Sequence, residues 1–128
     1  MRQLSTYLIV FVGAGFGGAL RHAANVMVSR LVGSEYPYST FLVNVGGSFA
    51  MGLLAGSFAY KGDTAQAWRL FLTTGILGGF TTFSTFSLEA ALLWERGDAF
   101  NAALYVISSV MLALCGIFGG LRVIALVD

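Results

Sequence analysis

Four uncharged stretches decide what this chain can become. Gln3–Leu20, Tyr36–Tyr60, Leu70–Leu88 and Ala99–Leu121 run for 18, 25, 19 and 23 residues without a charge. A helix needs about 17–25 apolar residues to cross the hydrocarbon core of a bilayer. Four such runs in 128 residues predict four transmembrane helices, at about 4–28, 38–60, 68–94 and 100–122. Only 10% of the residues are charged and the mean hydropathy is +0.81. A soluble domain usually carries about 25% charged residues. The first stretch continues to Val28, interrupted only by Arg21 and His22, without a convincing small-residue cleavage site. It therefore reads as a span and not as a signal peptide. The connections at 31–37, 61–67 and 96–98 are too short to hold a catalytic module. The expectation is an all-α integral membrane protein with one four-helix membrane domain, 1–128, and no enzyme activity.

Composition excludes further classes. The net charge of +1 gives no basic patch for nucleic acid. Cys115 and His22 are each the sole residue of their type, so neither a disulfide within the chain nor a transition-metal site is expected.

The 17 glycines are placed by period. Gly13/Gly17, Gly52/Gly56, Gly75/Gly79 and Gly116/Gly120 each form G-x-x-x-G, one pair per expected span. Such a pair flattens one helix face and lets a neighbouring backbone approach. Gly13–Gly18, "GAGFGG", also satisfies the dinucleotide fingerprint, but that motif needs a strand before it and an aqueous helix start after it. Inside an apolar helix the packing reading takes its place.

The third stretch contains "GGFTTFSTFS", Gly78–Ser87. Glycines precede five hydroxyls and three phenylalanines, where the span should cross the middle of the bilayer. Hydroxyl side chains compete for backbone groups, so a helix break is expected near Gly78–Thr82. A break at that depth presents carbonyls suited to a small hard cation such as Na⁺, or serves only as a packing kink. Phe80, Phe83 and Phe86 interleave with the hydroxyls. A ring edge is positive and can steady an anion without trapping it. Asn44 is the one amide deep in the second span, placed either to bond another helix or to donate to a passing anion. Tyr105, Ser108 and Ser109 offer hydroxyls in the fourth. Glu89 is expected to pair with Arg21.

Basic residues do not set one orientation. Arg2, Lys61, Arg69 and Arg122 fall on one side, Arg30 and Arg96 on the other, with Arg21 near the end of the first span. Orientation follows an excess of Lys/Arg on the cytoplasmic side. A chain without a clear excess can insert both ways, which raises an antiparallel dimer with its conduit between copies.

These residues resemble the Fluc (CrcB) fluoride channel family. The likeness lies in "GAGFGGALRH", "STFLVNVGGSFAMG" and most specifically "TTGILGGFTTFSTFSLE". It implies four-helix subunits, with the third helix broken mid-membrane, paired as a dual-topology antiparallel homodimer in a bacterial-type inner membrane. It implies passive, fluoride-selective export that lowers cytoplasmic fluoride. By resemblance, Asn44, Phe83 and Phe86 meet the anion, with Thr40, Ser84, Thr85, Tyr105 and Ser109 as polar lining. Arg21 is similar to an arginine at the pore mouth, and the backbone carbonyls of Gly78 and Thr81 match those holding a structural Na⁺ at the dimer centre. Ser39 and His22 depart from the family pattern without removing a pore group. Two other functions fit a small membrane protein: a proton-coupled exporter of organic cations, for which Glu89 is the sole candidate acid, and a non-transporting accessory subunit.

Overall fold

The computed structural model describes residues 2–62 and 64–127, and among these it is helical throughout apart from short connections. Helix α1 spans Gln3–Val32 and α2 spans Tyr38–Lys61. The third span runs through α3 (Gln66–Arg69), a π-helix (Leu70–Leu77), α4 (Gly78–Phe80) and α5 (Phe83–Glu95). Helix α6 covers Ala99–Val127. Four segments, Gln3–Val32, Tyr38–Lys61, Gln66–Glu95 and Ala99–Val127, are long and apolar enough to cross a membrane. They extend beyond the uncharged runs, and Arg30, Lys61 and Glu95, at or near the helix ends, are exposed. Gly33 and Gly97, both at φ 82°, follow the ends of α1 and α5 and reverse the chain.

Two glycine seams assemble the bundle. Helix α1 packs on the first half of the third span. There a methyl group on Gly13 would lie 2.8 Å from the Phe71 carbonyl oxygen, and one on Gly17 would overlap the Ile76 carbonyl. Helix α2 packs on α6, where a methyl group on Gly52 would overlap the Ile117 carbonyl. The "GAGFGG" stretch thus lies wholly within α1, with Gly13 and Gly17 buried for packing.

The π-helix was not expected. Its turns open opposite the close approach of Gly13 to Gly75. The Thr73 hydroxyl donates to the Arg69 carbonyl (2.6 Å) at its start, and the Thr81 hydroxyl donates to the Leu77 carbonyl (2.9 Å) at its end. Hydroxyls thereby supplement backbone bonds where the helical register changes. Thr81 and Thr82 are then extended, at ψ 157° and ψ 121°, before α5 begins.

The protein interior is small. Phe86, Leu93, Ala102 and Tyr105 form its buried cluster between α5 and α6. Large apolar side chains such as Leu8, Phe11, Ile107 and Phe118 face outward on α1 and α6, as the bilayer demands of a multi-pass protein.

Candidate functional site

The extended pair Thr81–Thr82 is held by a side chain from α2. Asn44 Nδ2 donates to the Thr82 carbonyl (2.9 Å), and the Thr82 N–H donates back to Asn44 Oδ1 (2.8 Å). Thr82 then caps α5, its Oγ1 accepting from the Thr85 N–H (3.2 Å). Gly47, one turn beyond Asn44, is buried against Thr81 and has no room for a side chain there. Asn44 therefore does bond another segment, and the amide retains a second N–H.

A cavity of about 300 Å³ opens where α2, the extended pair and α6 meet. Asn44, Gly47, Ser48 and Met51 line it from α2, Thr81, Thr82, Phe83 and Phe86 from the third span, and Ser109 from α6. Ser109 is only 5% exposed, and among the described residues its Oγ has no hydrogen-bond partner. A buried hydroxyl without a partner costs about 1–3 kcal/mol, so this cavity wall offers a donor to a polar guest. No lining residue is charged.

Aromatic rings lead inward from the cavity. Phe83 is 77% exposed and Phe86 7%. Their centroids are 5.5 Å apart, and Phe86 lies 5.1 Å from Tyr105, which is fully buried. Tyr36 meets Tyr105 edge to face at 5.8 Å, and Tyr38 follows at 4.8 Å. The series ends at a second cavity of about 530 Å³, lined by Glu35, Tyr36, Tyr38, Arg96, Asp98 and Asn101 among others. Buried Thr40 stands beside the Tyr105 hydroxyl, and that hydroxyl donates to Glu89 Oε1 (3.4 Å). Burial, then the neighbouring Tyr38, holds the Tyr36 hydroxyl above its ordinary pKa, so it stays a neutral donor at physiological pH.

The structure thus brings Asn44, Phe83, Phe86 and Ser109 around one cavity and stacks Tyr105 and Thr40 behind it. Ser84 and Thr85 do not line this cavity. The Ser84 hydroxyl lies 3.4 Å from that of Thr82, and Thr85 serves the cap. Arg21 is half-buried on α1 and lines neither cavity. The expected Arg21–Glu89 pair is corrected: among the described residues Glu89 takes its hydrogen bond from Tyr105, a neighbour on α6, and no ion pair forms with Arg21. Ser39 bonds Asn25 of α1 at 2.5 Å, giving its hydroxyl a structural task. Sequence reading missed Gly47, Ser48 and Met51. They sit three, four and seven residues after Asn44, the spacing of one helix face, and that periodicity was the signal available.

A four-span chain with a path of hydroxyls, amide and rings defines a class: small multi-pass membrane proteins built around a polar track. The match to known proteins is extensive. The family described as CrcB-like protein, Camphor Resistance (CrcB), covers residues 8–121. A protein of Methylobacterium nodulans named fluoride-specific ion channel FluC is 62% identical over 117 residues, 91% of this chain and 94% of that one. One of Rhodopseudomonas palustris with the same name is 58% identical over 119 residues, 93% and 96% of the two chains. Fluoride-specific ion channel FluC 2 of Nitrobacter hamburgensis is 56% identical over 118 residues, 92% and 95%. The chain belongs to the CrcB family.

Proposed function

We propose that this chain is a fluoride-selective channel that conducts passively and lowers cytoplasmic fluoride from a bacterial-type inner membrane. The carrying observation is the cavity in which Asn44, Phe83, Phe86 and the unpartnered Ser109 hydroxyl converge without a fixed charge. Fluoride is small, hard and strongly hydrated. Hydroxyl and amide donors with ring edges replace its water in stages, and the lack of a cation keeps it from being trapped. The curated relatives are named as channels for this ion, and none of this chemistry requires catalysis.

The proposed unit is a single four-helix domain, paired with a second copy in antiparallel, dual-topology fashion. Its balanced Lys/Arg distribution supports insertion both ways. Phe83 and Gly78 are exposed beside the third span's extended pair, which we read as a mid-membrane break covered by the second copy. The residues fit a structural Na⁺ at that junction. In a continuous helix the N–H groups of Thr82 and Thr85 would donate to the carbonyls of Gly78 and Thr81. Here they donate to Asn44 and to the Thr82 hydroxyl instead. Two carbonyls per chain are thus left for a hard cation, and two copies would supply four. The ion would contribute fixed positive charge and cross-linking between copies, while the anion's path is made by side chains alone.

Fluoride efflux from proteoliposomes, driven by a voltage and read with a fluoride electrode, tests the reading. The expected result is efflux independent of a proton gradient. Phe83→Ile should cut the flux by about tenfold or more while leaving the dimer intact on gel filtration, since it removes a ring edge without a charge. Near-normal flux in that variant would remove the ring-edge mechanism. Flux of a cationic dye that follows a pH gradient would favour the exporter, and no flux of either kind the accessory subunit.

A further inference from the structure

We infer that Asn44 is a positioning residue for the cation site: its amide withdraws the Thr82 peptide from the helical ladder and so leaves the Gly78 carbonyl open to an ion. This rests on the sodium site proposed above. The backbone accounting carries it. The Thr82 N–H is the donor that a continuous helix would give to Gly78, and it points to Asn44 Oδ1 at 2.8 Å. The Thr82 carbonyl is engaged by the same amide at 2.9 Å. Both backbone polar groups of one residue are therefore satisfied by a single side chain on a different helix.

The residue type follows from this task. In lipid every backbone N–H and C=O needs a partner. A residue turned out of the helix leaves its own N–H and C=O to be paired together, so the substitute must accept and donate side by side. Asn and Gln carry such a pair on one planar group without needing a proton to be taken up. A hydroxyl at this position is too short to span both groups, and a carboxylate only accepts. Without the amide, the Thr82 N–H finds its nearest partner by closing back on Gly78, and the carbonyl is lost to the ion.

One side chain then serves two sites. Asn44 also lines the cavity, and its second N–H is not used by the Thr82 peptide. A change in the amide's position is transmitted to both. Conduction and sodium binding are linked through Asn44, and neither is an independent property of the third span.

The test uses full-length protein reconstituted in a Na⁺ series, with N-methylglucamine as replacement. Two readouts are followed: fluoride efflux, and the Na⁺-dependent rise in thermal stability, which needs no flux. The parent should show both. Asn44→Ala should raise the Na⁺ midpoint of stabilisation about tenfold or more, the worth of one buried hydrogen bond. Asn44→Asp keeps the acceptor for the Thr82 N–H and should hold the midpoint at or below the parent's while losing flux. This second variant decides the matter if Asn44→Ala does not fold. An unchanged midpoint in Asn44→Ala, with flux lost, overturns the inference and leaves Asn44 to the anion alone. A midpoint in Asn44→Asp displaced upward as far as in Asn44→Ala overturns it as well. A parent indifferent to Na⁺ fails earlier, and it is the sodium reading that then falls.

Discussion

Helix α6 and the third span carry the same glycine motif and take different shapes. Gly116 and Gly120 lie inside a continuous helix of 29 residues. Gly75 and Gly79 lie in a span that widens into a π-helix and then becomes extended at Thr81 and Thr82. Both pairs admit a neighbouring backbone: a methyl group on Gly79 would lie 2.5 Å from the Ala14 carbonyl oxygen, and one on Gly116 3.1 Å from that of Val45. Glycine therefore explains the close approach in each case and the irregularity in neither. The difference is what surrounds the glycines. In α6 they stand among Cys115, Ile117, Phe118 and Leu121. In the third span, Thr73, Thr81 and Thr82 turn hydroxyls onto the backbone, and Asn44 reaches in from α2. A helix in lipid leaves its ladder only where other donors and acceptors replace it.

The largest expected effect tests the shared half of that comparison. Gly17→Ala and Gly52→Ala each drive a methyl group into a carbonyl of the opposing helix, Ile76 in one seam and Ile117 in the other. Neither obstacle is a side-chain end that can rotate away. Both variants should lose about 3 kcal/mol, the upper end for overpacking, read as a fall in thermal stability of purified protein in detergent. Gly119→Ala is the control, because its methyl group would meet Phe49 at an ordinary 3.8 Å and should leave stability nearly unchanged. Equal losses in all three would show that close approach at Gly17 and Gly52 is not what sets the cost, since the backbone term alone favours alanine in a helix.

A smaller effect separates the two helices. Thr82→Val removes the hydroxyl that accepts the Thr85 N–H, while keeping nearly the same volume. Loss of such a cap costs about 1 kcal/mol, and it returns the Thr85 N–H to the Thr81 carbonyl. Stability should fall modestly and fluoride flux more steeply, whereas Thr82→Ser should retain both. The equivalent exchange in α6, Ser108→Ala, touches a 3.4 Å bond to the Tyr105 carbonyl within a continuous helix and the contact with the Tyr36 hydroxyl, and should cost less stability. Should Ser108→Ala prove the more damaging for stability, hydroxyls would not be what distinguishes the third span.

The same contrast explains what could be read in the sequence. Spans follow from uncharged length and seams from glycine spacing, since both depend on neighbours along one helix. Gly78, Thr81 and Thr82 stood out because glycine and hydroxyls together are foreign to an apolar helix. The Asn44–Thr82 pair did not stand out as a pair, because its partners are 38 residues apart and nothing local in either segment specifies the other. The π-helix was hidden for a related reason: "LFLTTGIL" has the composition of an ordinary span, and its turns open only where α1 presses on Gly75. Glu89 misled because opposite charges invite pairing, whereas burial gave its carboxylate a tyrosine hydroxyl from the next helix.

The smallest expected effect concerns how the two helices begin. Helix α5 is capped by a hydroxyl inside the apolar third span. Helix α6 is capped outside the apolar run by Asp98, whose carboxylate accepts from the Asn101 backbone N–H (3.2 Å) and side-chain amide (2.8 Å). A charge is affordable only at the second place. The Asn101 amide, then its backbone N–H and the charge of Arg96, hold the Asp98 carboxyl below its ordinary value. A depressed folded-state pKa gives stability that is present above the unfolded value, about 3.9, and is lost as pH falls through the folded one. Between pH 8 and about pH 5 this cap should therefore be indifferent to pH, and below that it should weaken. The parent's thermal stability, measured from neutral to acid, contains this loss among others. Asp98→Asn keeps an acceptor but cannot titrate, so the difference between the two curves isolates the cap. That difference should be small, flat above pH 5 and should shrink in acid. The corresponding difference between the parent and Thr82→Ser should be flat at every pH, because no proton is exchanged there. A pH-dependent difference at Thr82 would mean that a titrating group acts on the third span through its cap.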